Sequence, residues 1–409
     1  MCHVDLQSEN SGGKMNMSRR TFLLKSGEFV CLSALLGCER IVQANVEKVQ
    51  EFEIFPVNYI PNQILFSGQK PVVSVVKVNS KWSEAKGVEY ATTKAIDLIG
   101  GINEVTKGKE RILLKPNLVN ATPSDTTNPR VIEALARLMK NSGKEVVIGE
   151  AGAASMRNID TSIQGYVCRT KNAETLQGIQ NDIFKGTGYD DISKNSGVPL
   201  INLHVGNMVK MKVPDNFVFK DIYVHKAMYD ADLVCSVPMM KTHGLATVTL
   251  ALKNIGIGGY PGMMYGTVRS LVHQEGIKLE PTGTSSVTVD MVKANKLGLS
   301  VIDATTAMQG QGPSVSQGGS LVEMNLIIAS KNALAADMVA ANIMGFEPTE
   351  IDTFKWAWKA GMSPSTIDDI DVVGEKVGTV QQQFTRPQVY PYTVLTKWYG
   401  PPCRQKAGV

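Results

Sequence analysis

Short, unbroken apolar runs alternate with amphipathic stretches along most of the chain. Val72-Val73-Ser74-Val75-Val76-Lys77-Val78 is β-branched and apolar on both faces, the pattern of a buried strand. Ser83 to Ile99 has helical spacing. Ile112-Leu113-Leu114-Lys115-Pro116-Asn117 is a strand stopped by proline. Asn128-Pro129 supplies an N-cap and a first-turn proline. Val131, Ile132, Leu135, Leu138 and Met139 then fall on one helical face. Glu145 to Gly149 is the next strand. Further strands are expected at 198–203, 232–239, 299–303 and 322–329, with helices around 285–296, 333–344 and 350–360. Met208 to Val224 alternates as a hairpin does, and 151–197 is polar and patternless, an irregular insertion. Apolar strands alternating with helices predict an α/β fold: a mainly parallel sheet covered by helices on both faces.

The organisation expected is a leader over 1–44, a lead-in over 45–70, an α/β domain over 71–375 and a C-terminal arm over 376–409. The arm is rich in Pro, Tyr and Trp. The leader rests on Ser18-Arg19-Arg20-Thr21-Phe22-Leu23, which matches the twin-arginine export consensus, with an apolar run from Phe29 to Gly37 behind it. Met17 directly before the motif is an alternative start. Two cleavage sites compete. Leu35-Leu36-Gly37-Cys38 is a lipobox that would acylate Cys38 and tether the chain. Val42-Gln43-Ala44 is a small-residue site that would release it. Either way the expected partner is the twin-arginine translocase, and the destination is the periplasm or cell exterior.

Composition narrows the classes. The 409 residues are 43% hydrophobic and 20% charged with net charge +4, ordinary for a globular chain. No dense basic patch with interleaved aromatics points to nucleic acid. No apolar run reaches the ~20 residues of a membrane helix. Cys168, Cys235 and Cys403 are too scattered for an iron–sulfur motif, and Cys235 sits as a small hydrophobe in a strand.

In open α/β sheets ligands bind beyond the carboxyl ends of the strands. Four expected strands run into a charged residue there: Lys115, Glu150, Lys241 and Asp303. The densest segment is Lys241-Thr242-His243 followed by Lys253-Asn254 and Gly256, Gly258, Gly259, Gly262 and Gly266. Lysines beside glycine N–H groups suit a small anionic ligand. Lys115, Asn117, Lys253, Asn254, Gly256 and Gly258 are therefore the expected ligand contacts. His243, Lys241, Glu150 and Asp303 are the expected catalytic groups, with His243 moving a proton. The spacing matches neither a Walker loop nor a dinucleotide fingerprint, so no nucleotide is implied. His243 and His273, with Glu150 or Asp303, are weak metal candidates without a metal-site spacing. His204 and His225 are read as structural. The competing readings are a non-catalytic solute- or cofactor-binding protein and an accessory subunit of a periplasmic redox enzyme.

Lys115-Pro116-Asn117-Leu118-Val119, Lys241-Thr242-His243, Leu252-Lys253-Asn254 and Val301-Ile302-Asp303-Ala304 with Gly310-Gln311-Gly312-Pro313 resemble the DUF362 family. Gly186-Thr187-Gly188-Tyr189, Asp337-Met338-Val339-Ala340 and Asp371-Val372-Val373-Gly374 extend the resemblance over roughly 72–375. It implies a prokaryotic protein of unassigned activity. Members carrying a ferredoxin-like cysteine module resemble iron–sulfur proteins. This sequence has no such module, so the resemblance implies no cluster here.

Overall fold

The β-branched run at Val72–Lys77 (β1) forms a strand whose four central residues, Val73 to Val76, are buried. It joins the sheet that organises the chain. The computed structural model describes residues 54–57, 63–79, 81, 83–153, 159–160, 166–394 and 404–405. The twin-arginine motif, Cys38 and the Ala44 site lie outside them. The further strands of this sheet and of the adjoining hairpin are β2 (Arg111–Pro116), β3 (Glu145–Glu150), β4 (Leu200–Asn202), β5 (Met208–Lys212), β6 (Asp221–His225), β7 (Leu233–Val237), β8 (Met239–His243), β9 (Thr247–Thr249), β10 (Leu297–Gly310), β11 (Gly319–Ser330) and β12 (Asp371–Gly374). Across the sheet the order is β12-β1-β11-β10-β7-β2-β3-β4, with β8 beside β10 and β9 beside β8. β10, β7, β2, β3 and β4 are mutually parallel. β11 runs against both of its neighbours. β5 and β6 form the hairpin expected at 208–224, with Met208 opposite His225.

Helices cover both faces, as continuous apolar strands require. Over one face lie α1 (Glu84–Leu98), α2 (Pro129–Asn141), α3 (Ala173–Gly186) and α4 (Tyr189–Ser196), packed on Ile112, Leu114, Cys235 and Val301. Over the other lie α5 (Ala251–Gly258), α6 (Ser285–Lys293), α7 (Ala333–Ile343) and α8 (Asp352–Lys359), packed on Leu113, Val234 and Ile302. Asn128 caps α2 through Arg130 N and Pro129 opens it.

Two expectations need correction. The stretch 151–197 is not patternless where it is described. It carries α3 and α4, whose buried positions Leu176, Gln180, Ile183 and Phe184 follow helical spacing behind a polar outer face. The strand expected at 232–239 breaks at Pro238 and runs on through Lys241. Pro238 lacks an N–H and only interrupts the ladder, after which β8 continues beside β10 to His243. Asp303 likewise lies in mid-strand in β10.

Two details place the region of interest. Leu250 has no capping side chain, yet the start of α5 is satisfied: the carboxylate of Asp337, in the buried helix α7, accepts from Ala251 N at 2.7 Å and Leu252 N at 2.8 Å. Residues 381–394 run along the fold on backbone bonds, among them Phe384 N to Met344 O, Tyr390 N to Gly244 O and Tyr392 N to Pro281 O.

Asp337→Ala strands two buried N–H groups at the start of α5. The expected loss is about 2–3 kcal/mol, read as a lower urea midpoint at unchanged slope. A variant with the wild-type midpoint would show that α5 does not depend on this cap.

Candidate functional site

The carboxyl ends of β2 and β3 meet in a buried ion pair. Lys115 Nζ lies 2.7 Å from Glu150 Oε1, with side chains 1% and 2% exposed. The ammonium also donates to Asn254 Oδ1 at 3.2 Å and Pro116 O at 3.2 Å. Glu150 accepts from Ala151 N at 2.7 Å and Leu118 N at 2.9 Å. Asn254, from α5, returns its amide to Lys115 O at 3.0 Å and Ser236 Oγ at 3.1 Å. Burial pulls the Lys115 ammonium below its usual range, while Glu150 holds it up. Gly258 makes room for this ammonium: a Cβ there would sit 2.5 Å from Nζ.

Around this pair lie more cations than carboxylates. Lys241 is fully buried on β8 and donates to the backbone carbonyl of Asp125 at 2.7 Å. Burial brings it down to about 7, against the pull of Asp125 and Glu150. Lys253, half-buried on α5, makes one long contact of 3.4 Å to Thr249 Oγ1. Burial, then the charges of Lys241 and Arg269, bring it to about 7 as well. Arg269 is 3% exposed and donates to the carbonyls of Ala151 and Gly258. Its Nε is buried without a partner, and its backbone is left-handed, with φ 56°. A non-glycine residue held there stores about 1–3 kcal/mol, typical of functional positions.

Two neutral imidazoles border the cations. Burial and the charges of Lys253 and Lys241 push His243 well below its ordinary range. Its Nδ1 accepts from Leu245 N at 3.0 Å, so Nε2 carries the hydrogen. His273 is held at about 4 by burial. Its Nδ1 faces Gly283 O at 3.0 Å, which leaves the lone pair on Nε2, and Tyr392 stacks on its ring at 4.8 Å.

The structure therefore brings together Lys115, Glu150, Lys241, His243, Lys253 and Asn254, with Asn117 beside Asn254 at 3.5 Å. The Asn117 Oδ1 is buried and unpartnered. Asp303 does not join them. Along β10 it shares the face of Leu299 and Val301, opposite to Ile302, and so points away from α5. Its oxygens are spent on Asn128 N, Thr305 N and Thr305 Oγ1. His243 is not the expected base, because Leu245 N occupies its lone pair. Gly256 is not a ligand contact: a Cβ there would fall 2.3 Å from Thr288, so this glycine lets α5 and α6 approach. His204 uses both ring nitrogens, on Gly152 O and Gly262 N, and His225 accepts from Ala227 N. Among the described residues, no group of three or more His, Cys, Asp or Glu side chains is placed to hold a metal ion.

Sequence reasoning missed Arg269 and Asp125. Arg269 follows a glycine-rich stretch without periodicity, and its partners Ala151 and Gly258 are distant in sequence or backbone atoms. Asp125 lies in a turn, where its carboxylate accepts from Asn120 Nδ2 and Val315 N.

Breaking the buried pair on one side leaves a charge stranded. Glu150→Gln is expected to cost about 3–5 kcal/mol, and Lys115→Met with Glu150→Leu to recover much of that loss. Chemical denaturation of both variants decides it. Equal losses in the two would mean that the pair is not the stabilising contact.

A sequence profile described as "Domain of unknown function (DUF362)" matches residues 112–342, the span that carries every residue of this cluster. A thylakoid-associated protein of Synechocystis sp. is 25% identical over 300 residues, covering 73% of this chain and 82% of that protein. Among solved structures, the lactate racemase apoprotein from Thermoanaerobacterium thermosaccharolyticum shares 14% identity at a TM-score of 0.37. The match covers 68% of this chain and 58% of that one, a likeness too slight to bear on fold or chemistry. The profile match spans more than half of the chain and coincides with the cation cluster: this protein belongs to the DUF362 family.

Proposed function

We propose that the protein binds a small anion, a carboxylate or phosphate, among Lys115, Lys241, Lys253 and Arg269. The observation that carries this reading is the charge imbalance: four cations, three of them buried, face two nearby carboxylates, Glu150 and Asp125. Buried like charges disfavour one another by several kcal/mol unless paired, and an anion would pair them. The unpartnered Arg269 Nε is a spare donor. Asn117 Oδ1 is a spare acceptor, suited to a hydroxyl or amine on the ligand. His243 contributes as an Nε2–H donor, a role open to a neutral imidazole. If the ligand is turned over, the free lone pair of His273 is the better placed base.

Protonation gives the reading a sign. Lys241 and Lys253 stand near 7 in the fold against an ordinary 10.5. Between those values the unfolded chain holds more protons, so the ligand-free protein gains stability as pH rises from 7 toward 10.5. Lys115, Arg269, Glu150, Asp125, His243 and His273 face the two lysines. Bound anion favours the charged lysines and reverses the trend. Sulfate, whose charge is constant here, is expected to raise the melting temperature strongly at about pH 6 and weakly at about pH 9, by ~2.7 kcal/mol at a hundredfold excess over Kd. Arg269→Met and Lys241→Met should abolish the shift. The same gain at both pH values, or in the variants, would sink the anion site.

Export through the twin-arginine route is proposed as well, supported by Ser18-Arg19-Arg20-Thr21-Phe22-Leu23. Arg19→Lys with Arg20→Lys is expected to keep the protein in the cytoplasm, and a normal exported yield from that variant would refute the route. Cys38→Ala moves a tethered protein to the soluble fraction and leaves a released one unchanged.

A further inference from the structure

We propose that Lys253 is a nucleophile, forming an imine with the carbonyl of a small oxo acid whose anionic group is held by Lys241 and Arg269. This rests on the anion-site reading and adds a covalent step to it.

The three lysines are not equivalent. Lys115 is committed to Glu150 and Asn254, and its side chain is buried. Lys241 is committed to the Asp125 carbonyl and is fully buried. Lys253 has only the 3.4 Å contact to Thr249 Oγ1, and among the described residues no carboxylate lies within ion-pair distance of it. As a residue it is also the least buried of the three, only half-buried where the side chains of Lys115 and Lys241 are almost wholly covered. An ammonium with no counter-ion beside two other cations sheds its proton readily, which is how lysine becomes nucleophilic at neutral pH. Its position is fixed rather than loose. α5 is held at its start by Asp337 and at Asn254 by Lys115 O and Ser236 Oγ.

The step balances without an oxidant. The neutral Lys253 nitrogen attacks the carbonyl carbon and forms the C–N bond. The carbonyl oxygen departs as water, taking the two hydrogens that the amine nitrogen carried. A carbonyl a bond or two from the anionic group would place its carbon beside Lys253 once Lys241 and Arg269 hold that group. Carboxylate and phosphate ligands share this logic.

The full chain is incubated with pyruvate or dihydroxyacetone phosphate, reduced with borohydride, digested and mapped by mass spectrometry. Sulfate-induced thermal stabilisation is measured on the same preparation. The expected result is one reduced adduct on Lys253, about tenfold or more above the exposed Lys278 and Lys355, suppressed by sulfate and absent in Lys253→Arg. The probe that labels more strongly tells carboxylate from phosphate. Labelling spread evenly over exposed lysines, or centred on Lys241, overturns the assignment. Sulfate stabilisation without an adduct overturns the imine step and leaves the anion site standing. Neither stabilisation nor adduct removes both. The wild-type map decides even if the arginine variant folds poorly.

Discussion

The Lys115–Glu150 pair is the contact on which the rest of the site depends. It joins the ends of two adjacent parallel strands and satisfies the backbone as they leave the sheet. Leu118 N and Ala151 N both bond Glu150, and Pro116 O accepts from Lys115. Through Asn254 the same pair ties α5 to the sheet, and Gly258 is bare so that the ammonium fits. A buried pair of this kind adds little when compared with two apolar residues, but losing one partner is severe. With net stabilities of about 5–15 kcal/mol for a whole domain, that asymmetry leaves little freedom to alter either residue alone.

The pair neutralises only one of the cations it sits among. A helix N-terminus would be the ordinary place for an anion near such lysines. Here that position is taken, since both oxygens of Asp337 already cap α5. What remains open is side-chain chemistry: the ammonium groups, the Arg269 Nε and the amide of Asn117. The glycines that suggested a backbone cradle serve packing. Gly256 admits Thr288, and Gly262 admits the His204 ring to which its own N–H donates. What the cluster presents is thus side-chain charge and not a phosphate-binding loop.

Fold class and most elements were legible because strands buried on two faces leave apolar runs, as at Ile112–Leu114 and Val146–Ile148. Lys115 and Glu150 were legible for the same reason, being the charges at which such runs stop. The failures have physical causes. Asp303 was placed with the lysines because strand ends were counted and side-chain alternation was not. One residue of parity puts it on the far face with Val301. The strand through Pro238 was expected to stop at Lys241, but after the interruption at Pro238 it continues past that residue to His243. Arg269 left no trace, because a left-handed backbone after a glycine run has no period to detect. The α3 and α4 helices were hidden by polar outer faces such as Asp190-Asp191 and Lys194-Asn195.

Two imidazoles near the cluster show how backbone contacts decide chemistry. Burial, reinforced by the neighbouring ammonium charges and for His273 by the Arg269 guanidinium, keeps both neutral, so neither acts by titrating near neutral pH. Their tautomers are opposite. Leu245 N donates to His243 Nδ1 and leaves an N–H at Nε2, whereas Gly283 O accepts from His273 Nδ1 and leaves a lone pair at Nε2. The pair therefore holds one donor and one acceptor without any change of charge. Residues 381–394 pass beside both: Tyr390 N donates to the carbonyl of Gly244 next to His243, and Tyr392 stacks on His273. A segment with little apolar patterning of its own thus packs on the His273 ring and on the backbone beside His243, so the surroundings of both imidazoles include the C-terminal stretch as well as the sheet.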